Sequence, residues 1–113
     1  MRCGCVVLNE LDQVLLVHDN KGWGIPKGKQ KSKERLVDTA IREVKEETGI
    51  DCEVIRFMLP LLKPKGDQVL VWMGFATGGT LKPQKSEVDD VEWFDMEKAK
   101  EIIVEWQRDA LVI

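Results

Sequence analysis

Leu36, Val37, Ala40, Ile41 and Val44 recur at helical spacing within an otherwise charged stretch. At about 100° per residue they cover an arc of roughly 140° on one side of a helix. Ser32 is a good N-cap type, Glu34 then falls in the first turn, and Gly49 stands where a left-handed C-terminal residue is wanted. The pattern predicts a helix from about Ser32 to Thr48. Ahead of it, Cys3 to Asn9 and Val14 to His18 are apolar runs joined by Glu10-Leu11-Asp12-Gln13, the layout of a hairpin. Behind it, Cys52 to Leu62 and Gln68 to Thr77 read as strands on either side of the turn Lys63-Pro64-Lys65-Gly66-Asp67, the first of them bent near Pro60. Gly78 to Lys85 reads as irregular, Val91 to Phe94 as a short strand, and Met96 to Arg108 as a final helix capped by Asp95. This order predicts an α/β fold with a mixed sheet packed between helices.

The chain has 113 residues, which predicts one domain over 1–113. Hydrophobic residues at 43% suffice for one core, and charged residues at 33% indicate a soluble protein. There is no apolar run long enough to span a membrane, and RCGCVVLN at the start lacks the layout of a signal peptide. Cys3 and Cys5 share one strand face by alternation, and with Cys52 they make an odd total of three. A zinc site needs a second pair, so all three are read as buried thiols in a reducing cytoplasm. His18 is the single histidine, which excludes a His-pair mechanism, and it is read as structural.

Glu43, Glu46 and Glu47 stand at i, i+3 and i+4 of the predicted helix, within an arc of roughly 100° beside the apolar stripe. Like charges at that spacing repel. One compensation is a solvated face balanced by Arg35, Arg42 and Lys45. The other is a hard divalent cation, Mg²⁺ or Mn²⁺, for which grouped carboxylate oxygens are suited. Glu34 lies nine residues before Glu43, about 13 Å of helical rise, so one ion is not shared by both. It is either a helix-start residue or part of a separate metal site.

In front of the helix, Lys21 to Lys31 holds three glycines, a proline and four lysines. It reads as a loop leading to a helix N-terminus, a natural place for anions. The net charge of the chain is −3, so this basic run stands out from its background. It suits an anionic small molecule better than a nucleic-acid surface, which needs more widespread positive charge.

From Gly28 to Ile50 the chain reads GKQKSKERLVDTAIREVKEETGI. The order of a glycine, Glu34, Arg42-Glu43-Val44, Glu46-Glu47 and Gly49-Ile50 resembles the Nudix box, with every signature position filled. A chance match has a probability on the order of 10⁻⁷ at ordinary residue frequencies. The flanking glycines and the lysine-bearing loop turn the balance from a solvated acidic face to a metal-binding one. The resemblance implies a Nudix-type α/β/α sandwich and a hydrolase that cuts a diphosphate linkage with Mg²⁺ or Mn²⁺. By that pattern Gly28, Glu43, Glu46 and Glu47 are metal-site residues, Gly28 through its carbonyl. Glu43 is a ligand or the base, Glu46 joins the catalytic set, and Arg42 orients the carboxylates through charge-assisted bonds. Family members often carry a further glutamate shortly before a Trp-Phe pair. Glu87 matches that place best before Trp93-Phe94, with Glu92 second.

Trp23, Lys27 and Lys29 are the candidate substrate residues. The segment Trp23…Pro26-Lys27-Gly28 is similar to one in dinucleoside polyphosphate hydrolases and RNA-end pyrophosphohydrolases. Trp23 either stacks on a base or fills the gap beside the helix. The expected substrate is a nucleoside polyphosphate, either a dinucleoside or a simple triphosphate. Diphosphoinositol polyphosphates come next, given the lysines, and ADP-ribose after that. The absence of tyrosine weakens the dinucleoside form, because a tyrosine beyond the box marks many diadenosine polyphosphate hydrolases. Nucleic acid is not an expected partner except as an RNA 5′ end. Expected assembly is a monomer or weak homodimer. A non-catalytic nucleotide-sensing module is the rival reading, but such modules usually lose a box carboxylate and none is lost here.

Overall fold

The computed structural model describes residues 1–83 and 88–112. In chain order the elements are β1 (Arg2–Leu8), β2 (Val14–Asp19), β3 (Gly22–Gly24), β4 (Lys27–Lys29), α1 (Leu36–Thr48), β5 (Ile50–Leu62), β6 (Gln68–Gly79), β7 (Asp90–Phe94), α2 (Met96–Ile102) and a 3₁₀ helix (Glu105–Leu111). Strand β1 lies at the centre of the sheet. It runs antiparallel to β2 and β4 and parallel to β6, from Arg2 opposite Val69 to Leu8 opposite Phe75. Strands β5 and β6 form a long antiparallel hairpin on one side, while β3 and β7 both pair with β2 on the other.

Alternation along β1 builds two cores. Cys3, Cys5 and Val7 face α1 and pack with Leu15, Ala40 and Val44. Val6 faces the opposite side and packs with Val14, Leu16, Val71, Ala99 and Leu111 under α2 and the 3₁₀ helix. The result is the expected α/β/α sandwich, with a mixed sheet between helical layers. All three cysteines are buried and free.

Four local expectations are corrected. Helix α1 begins at Leu36 after Arg35, and Ser32 is not its cap. Lys33 takes a left-handed φ of 65° and the Glu34 amide donates to the Lys31 carbonyl at 3.1 Å, so Lys31–Glu34 is a turn. The C-terminal end agrees with the sequence: Gly49 has φ 80° and its amide donates to the Lys45 carbonyl. A Cβ at Gly49 would overlap the Thr80 carbonyl oxygen, so close approach as well as conformation requires glycine.

The glycine-rich segment before α1 is not all loop. Lys27, Gly28 and Lys29 pair with Gly4, Cys3 and Arg2, and Gly22–Gly24 pairs with β2. Their strand form comes from tertiary pairing, against local propensity. The register shifts of β5 fall at Asp51/Cys52, Val54/Arg56 and Phe57/Leu59, while Pro60 stays opposite Leu70. The expected last helix is broken after Ile102. There the Val104 amide leaves the helical ladder and donates to the Trp23 carbonyl at 2.9 Å.

Candidate functional site

Arg42 is the hub of the acidic face. Its Nε donates to Glu34 at 2.7 Å, and its Nη2 donates to the other Glu34 oxygen at 3.0 Å and to the Lys29 carbonyl at 2.9 Å. Its Nη1 donates to Glu43 at 3.0 Å and to Glu46 at 3.1 Å. One guanidinium thus ties the turn before the helix, strand β4 and two helix carboxylates together. A planar five-donor fork is suited to this and an ammonium is not.

Glu34 is therefore neither a first-turn helix residue nor remote from Glu43, to which it is joined through Arg42. Its carboxylate also accepts the Lys31 amide and the Thr39 hydroxyl. The Arg42 guanidinium first, then these two donors, hold its carboxyl down to about 2. Reciprocally, Glu34 is the main reason the Arg42 proton is held more tightly than usual. Arg35 and Lys45, the other cations considered for balancing the acidic face, pair elsewhere: Arg35 with Asp38 at 2.8 Å and Lys45 with Asp51 at 3.2 Å. Lys31 approaches Glu46 at 3.9 Å.

The three box carboxylates differ in exposure. Glu43 and Glu47 are buried, while the Glu46 side chain is 35% exposed. Glu43 is covered by Gly28, where an added Cβ would overlap the carboxylate. Glu47 accepts the Lys27 amide at 3.0 Å. Strand β4 therefore lies directly on the acidic face. Among the described residues, no three Asp, Glu, His or Cys side chains converge as a metal-ligating group.

Beside this face is a cavity of about 390 Å³, reached by Trp23 and Lys27 and closed by Lys63, Lys65, Trp106 and Gln107. The Lys27 ammonium stands 5.8 Å from the centre of the Trp106 ring. Burial pulls its proton affinity below the usual lysine value, opposed by the nearby Glu47 and Asp19 charges. Trp23 makes edge contacts with His18 at 5.0 Å and Phe94 at 4.8 Å, so it packs in the wall as well as lining the cavity. His18 is structural, bound through Nδ1 to Asp89 at 2.8 Å.

Lys29 is exposed and does not line the cavity; its backbone carbonyl, through Arg42, is its link to the site. Glu87 lies outside the described residues. Glu92 sits on β7 opposite Leu16, and that side of the sheet faces α2, away from the acidic helix. Trp106, Gln107, Lys63 and Lys65 were not singled out by sequence. Lys63 and Lys65 read only as turn residues, and Trp106 as one position of a terminal helix.

The NUDIX domain model matches residues 1–112. The chain belongs to the NUDIX family, as the box from Gly28 to Ile50 anticipates. It is 34% identical over 103 residues to the m7GpppN-mRNA hydrolase of Saccharomyces cerevisiae, a match covering 84% of this chain and 11% of that protein. It is 32% identical over 103 residues to the 8-oxo-dGDP phosphatase NUDT18 of Danio rerio, covering 81% of this chain and 31% of that protein. The chain thus spans a third or less of the length of these two relatives. Its fold is similar to that of a Caenorhabditis elegans Ap4A hydrolase, with TM-score 0.80, 22% identity, and coverage of 98% of this chain and 92% of that one. No helix among the described residues is long and apolar enough to cross a membrane.

Proposed function

We propose that this domain is a divalent-metal-dependent pyrophosphohydrolase that cleaves a diphosphate linkage in a nucleoside polyphosphate, by water attack at phosphorus. The observation that carries this reading is the position of Lys27. Its amide is bonded to Glu47 on the acidic face, while its side chain reaches into the aromatic and basic cavity. Substrate binding and carboxylate chemistry therefore meet at one residue.

The donor set fits Mg²⁺ or Mn²⁺. It is made of hard oxygens, from Glu43, Glu46, Glu47 and the Gly28 carbonyl, and the missing Cβ of Gly28 lets the Glu43 carboxylate lie against the backbone that carries that carbonyl. When bound, such an ion neutralises phosphate oxygens and acidifies bound water. Arg42 keeps Glu43 and Glu46 oriented. Glu46, the more exposed of those two, is the better placed to take a proton from an attacking water on its carboxylate oxygen. Glu43 and Glu47 serve as ligands. Lys27 stabilises phosphate charge from the cavity side.

The relative named as an mRNA-cap hydrolase supports a second substrate form, an RNA 5′ end carrying the same kind of linkage. Three free, buried thiols support a cytoplasmic setting.

The test is turnover of nucleoside triphosphates, dinucleoside polyphosphates, a capped RNA, ADP-ribose and a diphosphoinositol polyphosphate, each with Mg²⁺ or Mn²⁺. Cleavage of a nucleoside polyphosphate by the wild type, with loss in Glu46→Gln, is expected. Failure of the wild type to cleave any member of the panel, with either metal, would sink the reading.

A further inference from the structure

Gln107 is a long polar side chain that is only 3% exposed, in a 3₁₀ helix whose other buried residues, Ala110 and Leu111, are apolar. Burying a carboxamide is costly unless it is hydrogen-bonded. Its Oε1 accepts the Ile25 amide at 2.7 Å, across 82 positions of sequence. Ile25 is itself fully buried, so its amide depends on that oxygen rather than on water.

The contact is built from both sides. An added Cβ at Gly24 would stand 2.8 Å from both Nε2 and Oε1 of Gln107. The φ of Gly24 is not positive, so the approach of the carboxamide, and not backbone conformation, calls for glycine there. Next to it the Val104 amide donates to the Trp23 carbonyl at 2.9 Å, and Trp23 bridges to Ile103. The start of the 3₁₀ helix is thus strapped to β3.

The three residues after Gly24 are each held by a different part of the chain. The Ile25 amide is held by Gln107, the Pro26 carbonyl accepts the Cys5 amide of β1 at 3.2 Å, and the Lys27 amide donates to Glu47 of α1 at 3.0 Å. The proline ring fixes φ between the two amides, which leaves the link little slack. Gly28, the next residue, lies against the Glu43 carboxylate. A short, stiff stretch of backbone therefore joins Gln107 to two carboxylates of the acidic face.

We propose that Gln107 is a positioning residue for the metal site. By holding the Ile25 amide it keeps the Lys27 amide against Glu47 and Gly28 against Glu43. The C-terminal 3₁₀ helix thereby sets the affinity of a distant acidic face for its ion. This assignment rests on the hydrolase reading above, with Mg²⁺ or Mn²⁺ held by these carboxylates.

The test is Mn²⁺ binding to the substrate-free protein, followed by the paramagnetic resonance signal of the free ion. The wild type should bind Mn²⁺, and Glu47→Gln more weakly. Gln107→Met keeps the length of the side chain and removes the acceptor. It should weaken Mn²⁺ by about 10-fold, the low end of what losing a hydrogen-bonding partner of a metal ligand costs. Gln107→Glu retains an acceptor oxygen at the same reach and should restore most of the affinity. Gly24→Ala drives the carboxamide off Ile25 with Gln107 itself unchanged, and should weaken Mn²⁺ as Gln107→Met does. Leu111→Val, buried in the same helix, should lower the melting temperature and leave Mn²⁺ affinity as it is. Wild-type affinity in a folded Gln107→Met or Gly24→Ala overturns the proposal. So does a Gln107→Glu as weak as Gln107→Met, or a Leu111→Val that weakens Mn²⁺ equally. The metal reading fails separately, and takes this proposal with it, if the wild type does not bind Mn²⁺ or Glu47→Gln binds it as tightly.

Discussion

The Glu34 carboxylate accepts the Arg42 Nε–H at 2.7 Å, across a helix start that separates the two residues by eight positions. The same guanidinium reaches Glu43 and Glu46. Glu34 fixes Arg42 from the turn before the helix, and under the proposed function it is expected to act as a positioning residue.

Glu34→Gln should therefore leave the fold intact and lower kcat, by about 10-fold, with a smaller change in KM. It should also change the acid limb of stability. A carboxylate held down to about 2 in the folded protein contributes stability above its unfolded value of about 4.3. That contribution is lost as pH falls from there towards about 2. Melting temperature against pH should drop more steeply for the wild type than for Glu34→Gln in this window. Parallel curves would show that the pair is not coupled to folding.

Glu46→Gln and Glu43→Gln should each reduce kcat by about 100-fold or more, the usual scale for a general base or a catalytic ligand. Glu43 is buried against Gly28 and Arg42, so glutamine is the informative replacement, since it preserves volume. Near-wild-type turnover in both variants would mean that the chemistry lies elsewhere.

Gly28→Ala tests the contact between β4 and α1. The added methyl meets the Glu43 carboxylate, and overpacking of this kind costs about 1–3 kcal/mol. Urea unfolding should shift by that amount, and kcat should fall with it. An alanine variant as stable and active as the wild type would show that the Glu43 side chain turns away freely.

Mg²⁺ or Mn²⁺ should raise the melting temperature of the wild type, because a ligand of the folded state stabilises it. Glu47→Gln should reduce that gain. An identical metal-induced shift in both proteins would remove Glu47 from the ligand set.

Lys27→Ala should raise KM several-fold, and by more for longer phosphate chains, while Lys29→Ala should change it little. The Lys27 side chain enters the cavity, whereas Lys29 meets the site through a backbone carbonyl that alanine retains. Kinetics on tri-, tetra- and pentaphosphates would separate the two lysines. A flat KM ratio for Lys27→Ala across that series would refute its phosphate role.

The elements legible in the sequence are those whose cause is local. The apolar spacing from Leu36 to Val44 placed α1, Gly49 marked its end, and alternation put Cys3 and Cys5 on one face. The box lies within 23 consecutive residues, Gly28 to Ile50, so the spacing of its carboxylates is a property of one local segment. The helix start departs from that expectation: Ser32 is a good cap by type, but Lys33 adopts a left-handed turn and the Glu34 side chain bonds to Arg42 and Thr39.

What only the tertiary structure decided depends on partners far apart in the chain. Strands β3 and β4 form because β2 and β1 offer them free hydrogen-bonding edges. Glu43 is buried because strand pairing sets Gly28 against it. Trp106 joins Lys27 because Gln107 bonds to Ile25 across 82 positions. Periodicity and motif spacing carry the carboxylates of the acidic face; long-range hydrogen bonding and packing place the residues that line the cavity beside it.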